Sequence, residues 1–340
     1  MAKHNVTLVF EDGRNVRLQA DEADTVYLTA IKNRVRIQTD CLEGACATCK
    51  ARCTEGEYWL SEYSEEALSK EEFDQRYVLT CQMHAKSDCV IEFPYESKLA
   101  LKTAPETRPA KVAAVAQIAD GVVRLDVEPA EPEKPLAFLP GQYVHLAVPG
   151  SGAQRSYSFA NAPRDTRRLV FYIKVLPHGA MSDYVRGLAR PGDDMPITGP
   201  FGRFYLRPPT RPILMVAGGT GLAPMLSMLE ELRDRGGTDQ PVRLLYGANA
   251  PAELFGAGDL DSFAAAGIDL TVERAVVEGA DGWTGKVGFV TDLLRPELLH
   301  GGDCDVYLCG PPPMIDAAEK WLAGQGLDPH RVHAEKFLPS

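Results

Sequence analysis

The stretch Asp40–Lys50, DCLEGACATCK, decides how the amino-terminal part of this 340-residue chain folds. Cys41, Cys46 and Cys49 are spaced C-x4-C-x2-C, and Cys81 follows Cys49 after 31 intervening residues. Three thiols in so short a loop, with a fourth returning from a distance, form a cage for a small inorganic centre. Gly44 and Ala45 let the backbone curl inward, so that amide N–H groups can point at sulfurs carrying negative charge. Two other cysteines compete for the fourth place. Cys53 is too near to close the far side of the cage, and Cys89 precedes Val90 and Ile91 in a strand-like run.

The spacing is that of plant-type [2Fe–2S] ferredoxins. A structural zinc site would favour paired C-x2-C knuckles, and only Cys46–Cys49 makes one. Disulfides are not expected in a chain whose start, MAKHNVTLVF, lacks a signal-peptide core. The metal ligands are therefore Cys41, Cys46, Cys49 and Cys81. Around them, Val6–Phe10 and Asn15–Ala20 read as strands joined by a turn, Tyr27–Asn33 as a helix, Ser64–Phe73 as a polar helix, and Val90–Phe93 as a closing strand. This order resembles the β-grasp fold of plant-type ferredoxins. Leu42 and Ala47 stand where such relatives often have Arg and Gly.

The net charge of −11, with no basic run, excludes a nucleic-acid binder. Residues 1–98 hold 12 basic and 18 acidic side chains, so the ferredoxin-like part is the more acidic per residue and suited to a basic partner. Pro212–Leu229 is uncharged, but Gly218, Gly219, Gly221 and Pro224 at its centre make it strand, loop and helix rather than a membrane span. The expectation is a cytoplasmic protein without a membrane segment, a monomer by default.

Residues 99–108 read as a linker. Beyond them, short alternating segments such as Val122–Val127 and Gln142–Val148, broken by the loop EPAEPEKP, suggest an antiparallel barrel. Within it lies Arg155-Ser156-Tyr157-Ser158. A guanidinium that pairs a phosphate, a phenol ring that packs on isoalloxazine and a hydroxyl that meets a ring position suit FAD. Gly179-Ala180-Met181-Ser182 then opens a helix whose amides and Ser182 hydroxyl suit a pyrophosphate. From Arg211 the pattern changes to strands alternating with helices, which implies a doubly wound parallel sheet. Its first βα turn is Gly218-Gly219-Thr220-Gly221, a glycine loop for a dinucleotide pyrophosphate, although Pro224 denies it a full G-x-G-x-x-G. Cys309-Gly310-Pro311-Pro312-Pro313-Met314 lies at a later strand's carboxyl end, where ligands bind in such folds. After the strand ending Tyr246-Gly247 no Arg or Lys appears before Glu253, which would accept from a ribose hydroxyl and repel a 2′-phosphate; NADH is favoured over NADPH.

RSYS, GAMS, GGTGLAP, CGPPPM and the terminal EKF, in this order, resemble the ferredoxin–NADP⁺ reductase superfamily. With the fused ferredoxin, the chain is similar to the reductase components of ring-hydroxylating dioxygenases, the benzoate/anthranilate/toluate 1,2-dioxygenase group above all. The resemblance implies three parts: a β-grasp α+β ferredoxin over 1–98, an antiparallel Greek-key β-barrel for FAD over 109–208, and a doubly wound α/β NAD domain over 209–340. It also implies that Arg155, Ser156, Tyr157, Ser158, Gly179, Met181 and Ser182 hold FAD, with Tyr172, Ile173, Lys174 and Val175 along the flavin edge. Gly218, Gly219, Thr220 and Gly221 would take the nicotinamide cofactor's phosphates. Cys309 and Gly310 would lie beside the nicotinamide, Phe337 would cover the flavin, and Ser158 and Glu335 would stand near the reacting atoms. The implied route is NADH to FAD to [2Fe–2S] to a terminal oxygenase in aromatic catabolism. Other readings are a reductase of a diiron hydroxylase for phenol or methane, a non-enzymatic NADH-binding redox sensor, and a zinc-stabilised structural protein.

Overall fold

The computed structural model describes residues 3–45, 47–101 and 106–337. Cys46 and linker residues 102–105 lie outside them. The chain divides into two compact units, Met1–Glu106 with Gly199–Arg203, and Thr107–Thr198 with Phe204–Ser340. No described helix is long and apolar enough to cross a membrane.

In the first unit, alternating apolar residues place Val6, Leu8 and Leu18 in one core, and the strands Lys3–Val9 and Asn15–Asp21 pair antiparallel. The Lys3–Val9 strand then pairs parallel with Cys89–Glu92, which neighbours Lys50–Glu55 and, beyond it, Tyr77–Leu79. The helix Val26–Lys32 begins where the Thr25 hydroxyl accepts from the Leu28 amide. This is the β-grasp architecture. One element is shorter than its sequence pattern suggests. The helix expected over Ser64–Phe73 spans only Lys70–Asp74, because a capping box of Ser69 and Glu72 starts it there. Ala67 and Leu68 turn inward to pack with Cys49 and Cys81 instead.

The second unit begins with two antiparallel sheets. One holds Ala110–Ala119, Val122–Pro129 and Leu169–Lys174. The other is built on Tyr143–Ala147 and Gln154–Ser158, with Ile197–Phe201 and Thr107–Arg108. Their inner residues, among them Leu125, Leu146, Phe159, Phe171 and Ile173, form one core. A six-stranded parallel sheet follows, in the order Lys286–Val287, Leu270–Val276, Val242–Ala248, Ile213–Gly218, Asp305–Gly310, Val332–Lys336. The first strand in sequence, Ile213–Gly218, therefore lies between the second and the fifth. The order reverses between Ile213–Gly218 and Asp305–Gly310, and a doubly wound sheet opens a crevice at such a reversal. The uncharged run Pro212–Leu229 supplies the first of these two strands, the glycine turn and the start of the helix Leu222–Asp234.

Candidate functional site

The crevice at the sheet's reversal is built by glycines that leave no room for side chains. A Cβ on Gly221 would stand 2.2 Å from the Cys309 carbonyl oxygen. One on Gly218 would stand 2.7 Å from the Met314 sulfur, and one on Gly310 2.9 Å from the Met314 methyl. The two loops singled out by sequence thus touch backbone to backbone, with the methionine of CGPPPM seated over both. Gly219 adopts φ 55°, and the Leu222–Asp234 helix starts directly behind the loop. A helix that starts directly behind a glycine loop suits a pyrophosphate.

Parallel register sets Glu335 opposite Cys309, and the Phe337 amide donates to the Gly310 carbonyl at 2.9 Å. From the barrel side, the Ser158 hydroxyl, itself buried, donates to the Glu335 carboxylate at 3.2 Å. Ser158, Cys309 and Glu335, far apart in sequence, therefore meet at one point, with Phe337 two residues beyond Glu335. Burial drives the Glu335 carboxyl up to about 8, against a smaller opposing effect of the Ser158 hydrogen bond. The carboxyl is mostly neutral at pH 7 and can give or take a proton at Oε. The Cys309 thiol, fully buried, is pushed well above its ordinary value by burial and by Glu335, so it stays protonated.

Arg155 to Ser158 lie on the strand Gln154–Ser158, paired with Tyr143–Ala147. Arg155 and Tyr157 share one face of the strand and are half-buried, while on the other face Ser158 is buried and Ser156 is exposed. Burial raises the Tyr157 phenol, so it stays neutral. The Leu169–Lys174 strand divides its residues in the same way. Ile173 is fully buried inside the barrel, with its side chain in the core. Tyr172 is 7% exposed, its ring 4.7 Å from that of Phe255, and Val175 is half-buried. Gly179 precedes a short helix, Ala180–Asp183, and the Ser182 oxygen accepts from the Leu176 amide at 2.9 Å, which leaves its hydroxyl proton to donate elsewhere. Met181 and Ser182 are buried.

Lys174 donates to Glu253 at 2.9 Å, and the Asn249 amide reaches the same carboxylate at 3.2 Å. Burial opposes its ionisation, but these partners outweigh that and hold Glu253 below its ordinary value. The carboxylate is therefore ionised and already neutralised by a cation. Sequence reasoning saw neither partner, since Lys174 lies 79 residues away. It also passed over Arg274, which the parallel register sets opposite Tyr246 on the neighbouring strand. A strand-by-strand search for cations at the carboxyl ends of the sheet would have found it.

In the first unit, Cys49 and Cys81 are buried with their sulfurs 3.3 Å apart. The hydrogen bond from Cys49, helped by the Gly44 amide and Gln82, outweighs burial and lowers Cys81 to about 6, favouring thiolate. Cys41 is half-buried, and its sulfur accepts from the Glu43 and Ala45 amides at 3.4 Å, the inward-turned N–H groups expected of the loop. Leu42, Gly44 and Ala47 bend the loop through positive φ, at 62°, 74° and 59°. Among the described residues no set of three His, Cys, Asp or Glu side chains converges as a metal cage. The fourth expected ligand, Cys46, lies outside those residues. The donor set fits an iron–sulfur cluster: two adjacent buried sulfurs, one with a depressed pKa, and amides aimed at a third. Cys53 and Cys89 lie in the sheet's core instead.

Residues 9–86 match the model of a 2Fe-2S iron-sulfur cluster binding domain, 109–205 that of an oxidoreductase FAD-binding domain, and 215–320 that of an oxidoreductase NAD-binding domain. The chain is 41% identical to the toluate 1,2-dioxygenase electron transfer component of Pseudomonas putida, covering 99% of each. It is 38% identical to the 2-halobenzoate 1,2-dioxygenase electron transfer component of Burkholderia cepacia, covering 99% of this chain and 98% of that one. Among solved structures, the cytochrome P450 reductase of Amycolatopsis superposes with a TM-score of 0.65 at 30% identity, over 98% of this chain and 99% of that one.

Proposed function

The chain belongs to the family of iron–sulfur flavoprotein reductases that includes the electron transfer components of ring-hydroxylating 1,2-dioxygenases, and from this premise we propose which residues do its work and which partner it serves. It is an NADH-dependent oxidoreductase with FAD and a [2Fe–2S] cluster. When bound, NADH supplies a hydride, FAD takes two electrons and releases them one by one, and the cluster carries them singly.

The chain's own contribution is binding, positioning and water exclusion. Gly218, Gly219, Thr220 and Gly221 receive the dinucleotide's phosphates. Cys309 and Gly310 form the wall beside its nicotinamide. Arg155, Ser156, Tyr157, Gly179, Met181 and Ser182 hold FAD, with Tyr172, Ile173, Lys174 and Val175 along its edge. Ser158 and Glu335 place a hydroxyl and a neutral carboxyl where hydride passes, Phe337 shields that point from water, and Glu253 lies near the ribose. Cys41, Cys46, Cys49 and Cys81 hold the cluster. The proposed boundaries are 1–98 for the ferredoxin domain, 99–108 for the linker, 109–208 for the FAD domain and 209–340 for the NAD domain. The recipient is the terminal oxygenase of a benzoate-type aromatic dioxygenase.

One observation carries this reading: Ser158, Cys309 and Glu335 meet at the reversal point of a parallel sheet. Cys49→Ser tests the route. It should abolish electron delivery to the oxygenase while sparing NADH-to-ferricyanide activity. If both activities survive in a protein without cluster absorption bands, the route is wrong.

A further inference from the structure

Two cysteines of the first unit take no part in the proposed cluster site, yet the fold places them together. Cys53 faces Ile91 across the antiparallel pair Lys50–Glu55 and Cys89–Glu92, so Cys89, two residues before Ile91, is its diagonal neighbour on the same face. The register shifts between Cys53 and Glu55, a local irregularity that alters the pairing at this diagonal. The two thiols are near enough that each shifts the other's ionisation. Both also point at one turn: Cys53 Sγ donates to the Glu55 carbonyl at 3.1 Å and Cys89 Sγ to the Glu57 carbonyl at 3.4 Å. Gly56 in that turn has φ +96°, and a Cβ there would stand 2.6 Å from Cys89 Sγ, so the turn is shaped around the pair.

A cation is held over one of the two sulfurs. Arg76 adopts φ 67°, strained for a residue with a side chain, and its Nε donates to the Cys53 carbonyl at 2.8 Å. Its Nη2 lies 3.6 Å from Cys53 Sγ, and the guanidinium sits over the Tyr58 ring. The pair is therefore asymmetric, with the positive charge beside Cys53. The thiol values follow: the neighbouring Cys89 thiol, with Arg76, lowers Cys53 despite burial, while Cys89 is raised. One sulfur is suited to attack and the other to resolve.

We propose that Cys53 and Cys89 are a redox-active dithiol that a hydroperoxide closes to a disulfide. In the first step the Cys53 sulfur attacks one peroxide oxygen, the O–O bond breaks, and the other oxygen leaves as water or alcohol with the thiol proton. The Cys53 sulfenic acid then loses its oxygen as a second water when the Cys89 sulfur attacks Cys53 and its own proton departs. The two sulfurs lose two electrons in all, and the peroxide gains them. The side chains are 0% and 1% exposed, so bulky thiol reagents are excluded and the peroxide enters through a local opening of the turn at Gly56.

The test treats the holoprotein with hydrogen peroxide, quenches with acid and N-ethylmaleimide, and maps tryptic peptides. Cleavage after Arg52 and Lys86 gives fragments 53–70 and 87–98, each with a single cysteine. The expected product is these two fragments joined, two hydrogens lighter than their sum and separated by dithiothreitol, while cluster absorbance persists. Recovery of both as maleimide adducts after the cluster has bleached would overturn the proposal. So would Cys53 as sulfinic acid without a link, or either cysteine joined to a cluster ligand. In folded Cys89→Ala, identified by its cluster absorbance, peroxide treatment followed by denaturation in the presence of dimedone should trap Cys53 as sulfenic acid; no adduct there would also count against it. None of these readouts depends on the partner or the electron route.

Discussion

At Glu335 burial changes what a carboxylate can do. Its native value of about 8 lies above the ordinary 4.5, so the folded protein holds a proton there that the unfolded chain releases. Between those two values stability at this site falls as pH rises, and above 8 the loss is complete. Flavin reduction by NADH, followed by stopped flow from pH 6 to 10, should slow with an inflection near 8. Glu335→Gln should remove the inflection and slow the step about 10²-fold; an inflection that persists in this variant belongs to another group. The ion pair at Glu253 gives a second expectation. Because Lys174 and Asn249 already engage that carboxylate, Glu253→Ala should change the ratio of kcat/KM for NADH and NADPH by less than about tenfold, or 1.4 kcal/mol. Equal values for the two cofactors in the unaltered protein would remove the basis for a preference altogether.

At the scale of the element, two loops show how little freedom the backbone leaves. Gly221→Ala would press a methyl against the Cys309–Gly310 peptide, 2.2 Å from the Cys309 carbonyl oxygen. It should cost about 3 kcal/mol or more by thermal or denaturant unfolding, and NADH binding should weaken with it. The cluster loop allows the opposite test. Ala47 holds φ 59°, a conformation glycine adopts without penalty, so Ala47→Gly should stabilise the ferredoxin unit by about 1 kcal/mol while the cluster bands stay intact. The helix near residue 70 shows where periodicity misleads. Ser64–Phe73 has helical composition, yet the Ser69–Glu72 capping box and the burial of Ala67 and Leu68 confine the helix to Lys70–Asp74. A pattern of polar and apolar residues does not distinguish a helix from a turn that tucks its apolar side chains under a neighbouring loop.

At the scale of the molecule, the compact-unit boundary passes between Glu106 and Thr107, inside the polar stretch read as a linker, whereas the barrel and the parallel sheet share one compact unit. Tyr172 of the barrel packs on Phe255 of the α/β part, which is one reason no boundary separates them. The architecture and the cofactors were legible in the chain itself, because cysteine spacing, glycine turns and the alternation of strand with helix are local signals with short physical causes. Contacts over long separations were not. The Ser158–Glu335 hydrogen bond, the Lys174–Glu253 pair, Arg274 beside Tyr246 and the Cys53–Cys89 dithiol all depend on which strand lies next to which, and residue order does not encode that adjacency locally. The amino-acid order determined which chemistries this protein can carry; the folded sheets decided which side chains are neutral, ionised or paired, because burial and register exist only once the strands have met.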